Sequence, residues 1–108
     1  MAKFVLLVQS QPHPGQETEY HRWYEQQHIP DILAVPGVKS AARYAAVPTS
    51  FPVPEMPYLA LYEIECDDHQ ALLAEFDRRA AAGLMPVSPA IDTERAKIGM
   101  YKLFFTAV

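Results

Sequence analysis

Between positions 19 and 33 the chain reads Glu-Tyr-His-Arg-Trp-Tyr-Glu-Gln-Gln-His-Ile-Pro-Asp-Ile-Leu, which gathers its only tryptophan, two of its tyrosines and two of its histidines. Of these, His28 is best suited to move protons, because an imidazole titrates close to neutrality. At a helical 100° per residue, Tyr20, Tyr24, Gln27 and His28 share about a third of the circumference, with Tyr24 one turn before His28. Tyr24 on that face either orients a ligand and shares its proton or is an ordinary core tyrosine. Asp31 either holds the imidazole as an orienting carboxylate or caps a short turn. Trp23, at the edge of the same face, supplies packing area and is a candidate wall of a pocket. His28 itself has a plain structural alternative, capping the last turn of its helix.

The residues outside this stretch that invite chemistry are few. Arg43 falls on an alanine-rich strand, where an arginine needs an anionic partner. That partner is either a ligand carboxylate or, as a plain salt bridge, Glu63 or Glu65 on a neighbouring strand or a group of the partner subunit. Tyr44 and Tyr62 are strand tyrosines suited to line a cavity or an interface. His21 and His28 lie two turns apart with no third ligand at a telling spacing, so no metal site is expected. No nucleophile elbow, phosphate loop or dinucleotide fingerprint occurs, so no cofactor is read from the sequence.

Elements must position these groups. Residues 4–10 form an apolar strand ended by Gln-Pro-His-Pro-Gly. A helix follows over 17–28, and Pro30 should stop it, since the residue before a proline is pushed out of the α region. His28 would then sit at a helix C-terminus, where the macrodipole favours its cation. Strands are predicted over 38–47 and 58–66, separated by a segment with prolines at 48, 52, 54 and 57 that forbids regular pairing and acts as a lid or contact loop. Asp67, with Gln70 three residues on, reads as the cap of a second helix with Leu72, Leu73, Phe76 and Ala80 as its apolar stripe, ending at Gly83. An irregular stretch then leads into a last strand over 97–107.

The order strand, helix, strand, strand, helix, strand is the split βαβ pattern (βαββαβ), an α+β ferredoxin-like fold with a four-stranded antiparallel sheet and two helices on one face. Strand 4–10 is apolar on both sides, yet the helices cover only one. A twofold-related copy is the simplest cover, so a homodimer with its sheets face to face is expected.

At 108 residues the chain has room for one domain, 1–108, whose composition (50% hydrophobic, 20% charged) is globular. Its net charge of −4 without a basic cluster argues against a nucleic-acid partner. The single cysteine, Cys66, precludes an intrachain disulfide. No stretch is long enough to span a membrane, and the apolar run at the N-terminus is too short for a signal peptide. A soluble, cytoplasmic protein is the expectation.

The run Trp23-Tyr24-xxx-His28-x-Pro30, followed by Pro36-Gly37-Val38 and Arg43-Tyr44, resembles the EthD-like branch of the dimeric α+β barrel superfamily. That resemblance implies the same split βαβ unit, paired into a barrel, with a small apolar cavity between sheet and helices holding an unsaturated or aromatic acidic compound. The superfamily includes cyclases, isomerases, decarboxylases and cofactor-free and haem-linked oxygenases, and fold alone does not choose among them. A site offering only acid/base groups fits a cofactor-free lyase, isomerase or cyclase, with His28 moving a proton and Tyr24 and Arg43 positioning the substrate. Two alternatives stand beside it: a ligand-binding or accessory protein without turnover, and a haem or oxygen-handling relative with His28 or His69 as axial ligand.

Overall fold

A computed structural model describes all residues, 1–108. Strand β1 (Ala2–Ser10) runs through the middle of the sheet, flanked by β3 (Tyr58–Cys66) and β4 (Lys97–Lys102), with β2 (Val38–Ala45) outside β3. All pairings are antiparallel, in the order β2-β3-β1-β4. The register places Phe4, Leu6, Val8 and Ser10 on the same side as Tyr58, Ala60, Tyr62 and Ile64, and this is the side the helices cover. Val5, Leu7, Leu59 and Leu61 point to the other side, which no element covers, as period-2 alternation predicts.

Helix α3 (His69–Ala81) begins one residue later than its sequence signature suggests. Asp68, not Asp67, is the cap, its carboxylate accepting from the backbone N–H groups of Gln70 (3.0 Å) and Ala71 (3.3 Å). In β2 a bulge between Val38 and Ser40 turns buried Val38 onto the same face as Ala41 and Arg43. Gly37, just before it, needs its positive φ of 104°, and a Cβ there would crowd the Glu65 carbonyl oxygen and Leu72 at 3.3 Å. The last strand stops at Lys102 rather than reaching 107. Leu103 donates one more backbone bond, to the Lys3 carbonyl (2.7 Å), after which the chain leaves the sheet edge with Phe104 and Phe105 exposed.

The main departure from expectation lies at Pro30. The helix does not stop there: α1 (Glu17–Trp23) passes through a π-helical turn (Tyr24–His28) directly into α2 (Ile29–Leu33). The Ile29 N–H reaches back five residues to the Tyr24 carbonyl, a π bond that opens the helix by one residue. Pro30 thereby falls in the first turn of α2, where its missing N–H costs nothing and its fixed φ suits the helix. His28 and Ile29 consequently keep helical dihedrals despite the proline. His28 lies inside a helical segment instead of at its C-terminus, so the macrodipole does not act on it as the sequence suggests.

Candidate functional site

The layer between the helical segment 17–33 and the sheet is built from aromatic rings. Tyr20, Tyr24 and Tyr62 are at most 1% exposed, and Trp23 is buried beside them. A π-helical turn has more residues per revolution than an α-helix, so it brings positions five apart onto one face. Here that pair is Trp23 and His28, whose rings stack at 4.5 Å with 23° between their planes. Tyr24 meets the same imidazole edge-on at 5.3 Å. Trp23 is anchored by its indole N–H, which donates to the Pro86 carbonyl (3.0 Å), so the irregular segment before β4 fixes the stacked pair from outside.

His28 is half-buried, and its Nδ1 is fully buried with no hydrogen-bond partner. Desolvation lowers its pKa from 6.5 to about 4, against an opposing pull from the Asp31 charge. The imidazole is therefore neutral at physiological pH. Asp31 does not orient the ring through a hydrogen bond, as one sequence reading has it: its Oδ2 accepts from Gln27 Nε2 at 3.1 Å, and it acts on His28 only through its charge.

Tyr62 on β3 carries the second buried polar atom without a partner, its hydroxyl. Burial, and after it the neighbouring Tyr24, push this phenol above the ordinary tyrosine range, so the hydroxyl keeps its proton and remains a donor. Tyr20, in contrast, is satisfied: its hydroxyl and Ser10 Oγ share a hydrogen bond of 2.6 Å. Phenylalanine at these two sites should therefore act in opposite ways. Tyr20→Phe takes this bond from buried Ser10 Oγ, leaving it only the neighbouring Tyr24, and should destabilise by about 1 kcal/mol, whereas Tyr62→Phe removes an unpaired group and should be neutral or mildly stabilising. Urea denaturation of the two variants distinguishes these outcomes.

Arg43 enters the layer from β2. Its guanidinium carbon lies 4.4 Å from the Tyr24 ring centroid, 5.4 Å from that of Tyr20 and 5.8 Å from that of Tyr58. The ion-pair partner is neither Glu63 nor Glu65, which point to the open face, but Glu25 on the π turn, with Oε2 at 3.0 Å from Nη1. The same Nη1 lies 3.1 Å from His21 Nδ1. Ser10 and Glu25 join this network without standing among the sequence candidates. Tyr20 and His21 are legible from helical period, whereas the same period puts Glu25 on the opposite, solvated face, and the pairing of Ser10 needs strand register.

Tyr44 does not join the site. It points to the open face with 54% of its surface exposed and lines a shallow recess of about 180 Å3 with Pro54, Met56 and Pro57 of the proline-rich loop. A larger recess, of about 700 Å3, also lies on the open face, between Val5, Leu61, Tyr101 and the departing Phe104 and Phe105. The cavity implied by family resemblance was placed between sheet and helices, where three tyrosines now fill the space. His69, an alternative haem ligand, is exposed at the start of α3 against Phe4, and one face of His28 is covered by Trp23. No helix is long and apolar enough to cross a membrane.

No family model and no curated protein matches the chain. Several solved structures share its fold. An EthD family protein from Bacillus halodurans C-125 superposes with a TM-score of 0.65 over 96% of this chain and all of that one, at 16% identity. A candidate monooxygenase from Shewanella loihica PV-4 gives a TM-score of 0.61 at 14% identity, covering 98% of this chain and 99% of that one. A dimeric ferredoxin-like protein of unknown function from Thermobifida fusca YX gives 0.55 at 15% identity, covering 94% and 92%. At these identities the likeness is one of fold, and it is the fold to which the Trp23-to-Pro30 pattern points.

Proposed function

We propose that the chain is a cofactor-free enzyme acting on a small unsaturated or carbonyl-bearing acid in the layer between helical segment 17–33 and the sheet. One observation carries this reading. The buried side-chain polar atoms without partners are His28 Nδ1 and the Tyr62 hydroxyl, and both residues neighbour Tyr24. With the imidazole proton on Nε2, Nδ1 is a buried acceptor, and it and the buried Tyr62 donor each cost free energy unless something bonds them. A substrate meeting both would satisfy a base and an oxyanion donor together.

The chemistry follows from the two protonation states. Neutral His28 Nδ1 takes a proton from a carbon next to the substrate's carbonyl: the C–H bond breaks, an N–H bond forms, and the electron pair moves onto the oxygen. The Tyr62 O–H, held neutral, donates to that oxygen. Return of the proton to the same carbon regenerates substrate, and its return to another carbon gives an isomer. Tyr24 and Trp23 hold the imidazole between them, and Arg43 supplies a fixed positive charge for an acid group.

The uncovered apolar face suits a second copy of this chain, with the two sheets packed together, and the dimeric protein of the same fold supports that assembly. A second reading, binding without turnover, is favoured by the recess of about 700 Å3 on the open face, lined by Leu61, Tyr101, Phe104 and Phe105 away from His28, since Tyr20, Tyr24 and Tyr62 fill the layer. Proton NMR of carbonyl-bearing unsaturated acids in D2O separates the two. The enzyme reading predicts protein-dependent deuterium uptake at the acidic carbon, and the binding reading predicts a ligand recovered without label. Uptake that survives intact in His28→Gln would remove His28 from the mechanism.

A further inference from the structure

Resting on the reading that this layer binds a small acid, we propose that Glu25 is a displaceable stand-in for the carboxylate of that acid, so that ligand binding exchanges one anion for another at Arg43. The two partners are very unequally placed. Arg43 is 14% exposed and held among three tyrosine rings, while Glu25 is 64% exposed on the helix surface. A guanidinium so embedded needs an anion beside it, since an unpaired buried charge is costly. The carboxylate that meets the need sits on a solvated side chain, whose charge water can satisfy once it leaves Arg43.

The geometry of the pair leaves guanidinium donors that Glu25 does not use. Arg43 meets Glu25 Oε2 and His21 Nδ1 through Nη1 alone, and its guanidinium also acts on the Tyr20 hydroxyl. The fork that matches a carboxylate with two parallel bonds is not used in that way by Glu25. An incoming carboxylate that takes two bonds replaces the single bond to Glu25, and Glu25 swings into water, where its charge is solvated. Because Tyr24 touches both Arg43 and His28, a ligand anchored at the guanidinium has the rest of its body directed along the Tyr24 ring towards the imidazole. Glu25 also lies within the π turn, so a ligand that displaces it acts at the irregular part of the helix. The arrangement selects substrates carrying a carboxylate over neutral isosteres, and it does so through competition with a residue of the chain itself.

Benzoate and benzamide, alike in shape and different in charge, are suitable probes, with binding followed by two-dimensional NMR of the arginine Nε–H, histidine and tyrosine resonances. Benzoate should bind the native protein more tightly than benzamide and shift the Arg43 signal. Glu25→Gln should tighten benzoate by up to about five-fold, the effect of removing an exposed competitor, and leave benzamide unchanged. Glu19→Gln, which makes the same change in net charge but removes the partner of Arg22, should leave benzoate affinity unchanged. Arg43→Gln should lose the preference for benzoate, and Arg43→Lys should recover only part of it because an ammonium cannot offer the fork. The proposal is overturned if Glu25→Gln leaves benzoate affinity unchanged or weakens it while both probes still shift His28 and Tyr62; the small-molecule site then stands without a displaceable carboxylate. If neither probe shifts His28 or Tyr62 in any variant, both the site and the exchange at Arg43 are wrong.

Discussion

Replacing His28 by glutamine should slow deuterium exchange into substrate by about a hundred-fold or more, the usual contribution of a positioned general base. Glutamine is close in size and keeps a planar polar head, so it fills the space against Trp23 and Tyr24 while losing the proton-accepting nitrogen. The pH dependence gives a second reading of the same group. With its folded pKa at about 4, His28 stays in its base form well below 6.5, and exchange should hold level down to about pH 4 instead of declining through the ordinary histidine range. Stability follows with a definite sign. Between about pH 4 and 6.5 the unfolded chain binds a proton at His28 that the folded chain does not, so stability falls as the pH is lowered across this window. The full loss is about 3 kcal/mol, because each tenfold weakening of proton affinity is worth about 1.4 kcal/mol. His28→Gln should flatten this part of the profile in urea denaturation at a series of pH values. An unaltered slope in the variant would show that His28 is not the buried neutral group.

A glutamate at Leu61 should convert the protein from a mass of two chains to a mass of one in light scattering at micromolar concentration. Leu61 lies opposite Leu7 and Ala42 in the middle of the uncovered face, and it is only half-buried within one chain. Face-to-face packing of two sheets would seal it and its symmetry mate together. Burying two unpaired carboxylates costs several kcal/mol, which weakens association by roughly a hundred-fold or more. Gln26→Glu, on the exposed side of the π turn, should leave the mass unchanged. A single-chain mass for the native protein would show that the open face is covered by something other than a second copy.

Much of this architecture is legible in the sequence because it depends on local patterns. The alternation of Tyr58, Ala60, Tyr62 and Ile64 against Leu59, Leu61, Glu63 and Glu65 fixes β3 and both faces of the sheet, and the contacts follow it residue by residue. What escapes is non-local. Pro30 reads as a stop because the rule for the residue before a proline is local, whereas the π turn that overrides it also packs Trp23 on His28 and anchors Trp23 to Pro86. The partner of Arg43 escapes for a related reason: Glu25 is solvated by helical period, yet β2 brings Arg43 beneath it across the layer. Of the candidate residues, His28, Tyr24, Tyr62, Trp23 and Arg43 share one layer. Asp31 turns to Gln27, and Tyr44 faces the opposite side of the sheet.

The central claim is that a small molecule completes the hydrogen bonding of two buried groups. Its most direct test is a crystal structure of the protein with an acid that shows deuterium exchange. Ligand atoms are expected within hydrogen-bonding distance of both His28 Nδ1 and the Tyr62 hydroxyl. A ligand seated only in the recess beside Phe104 and Phe105, with those two atoms still unpartnered, would contradict it.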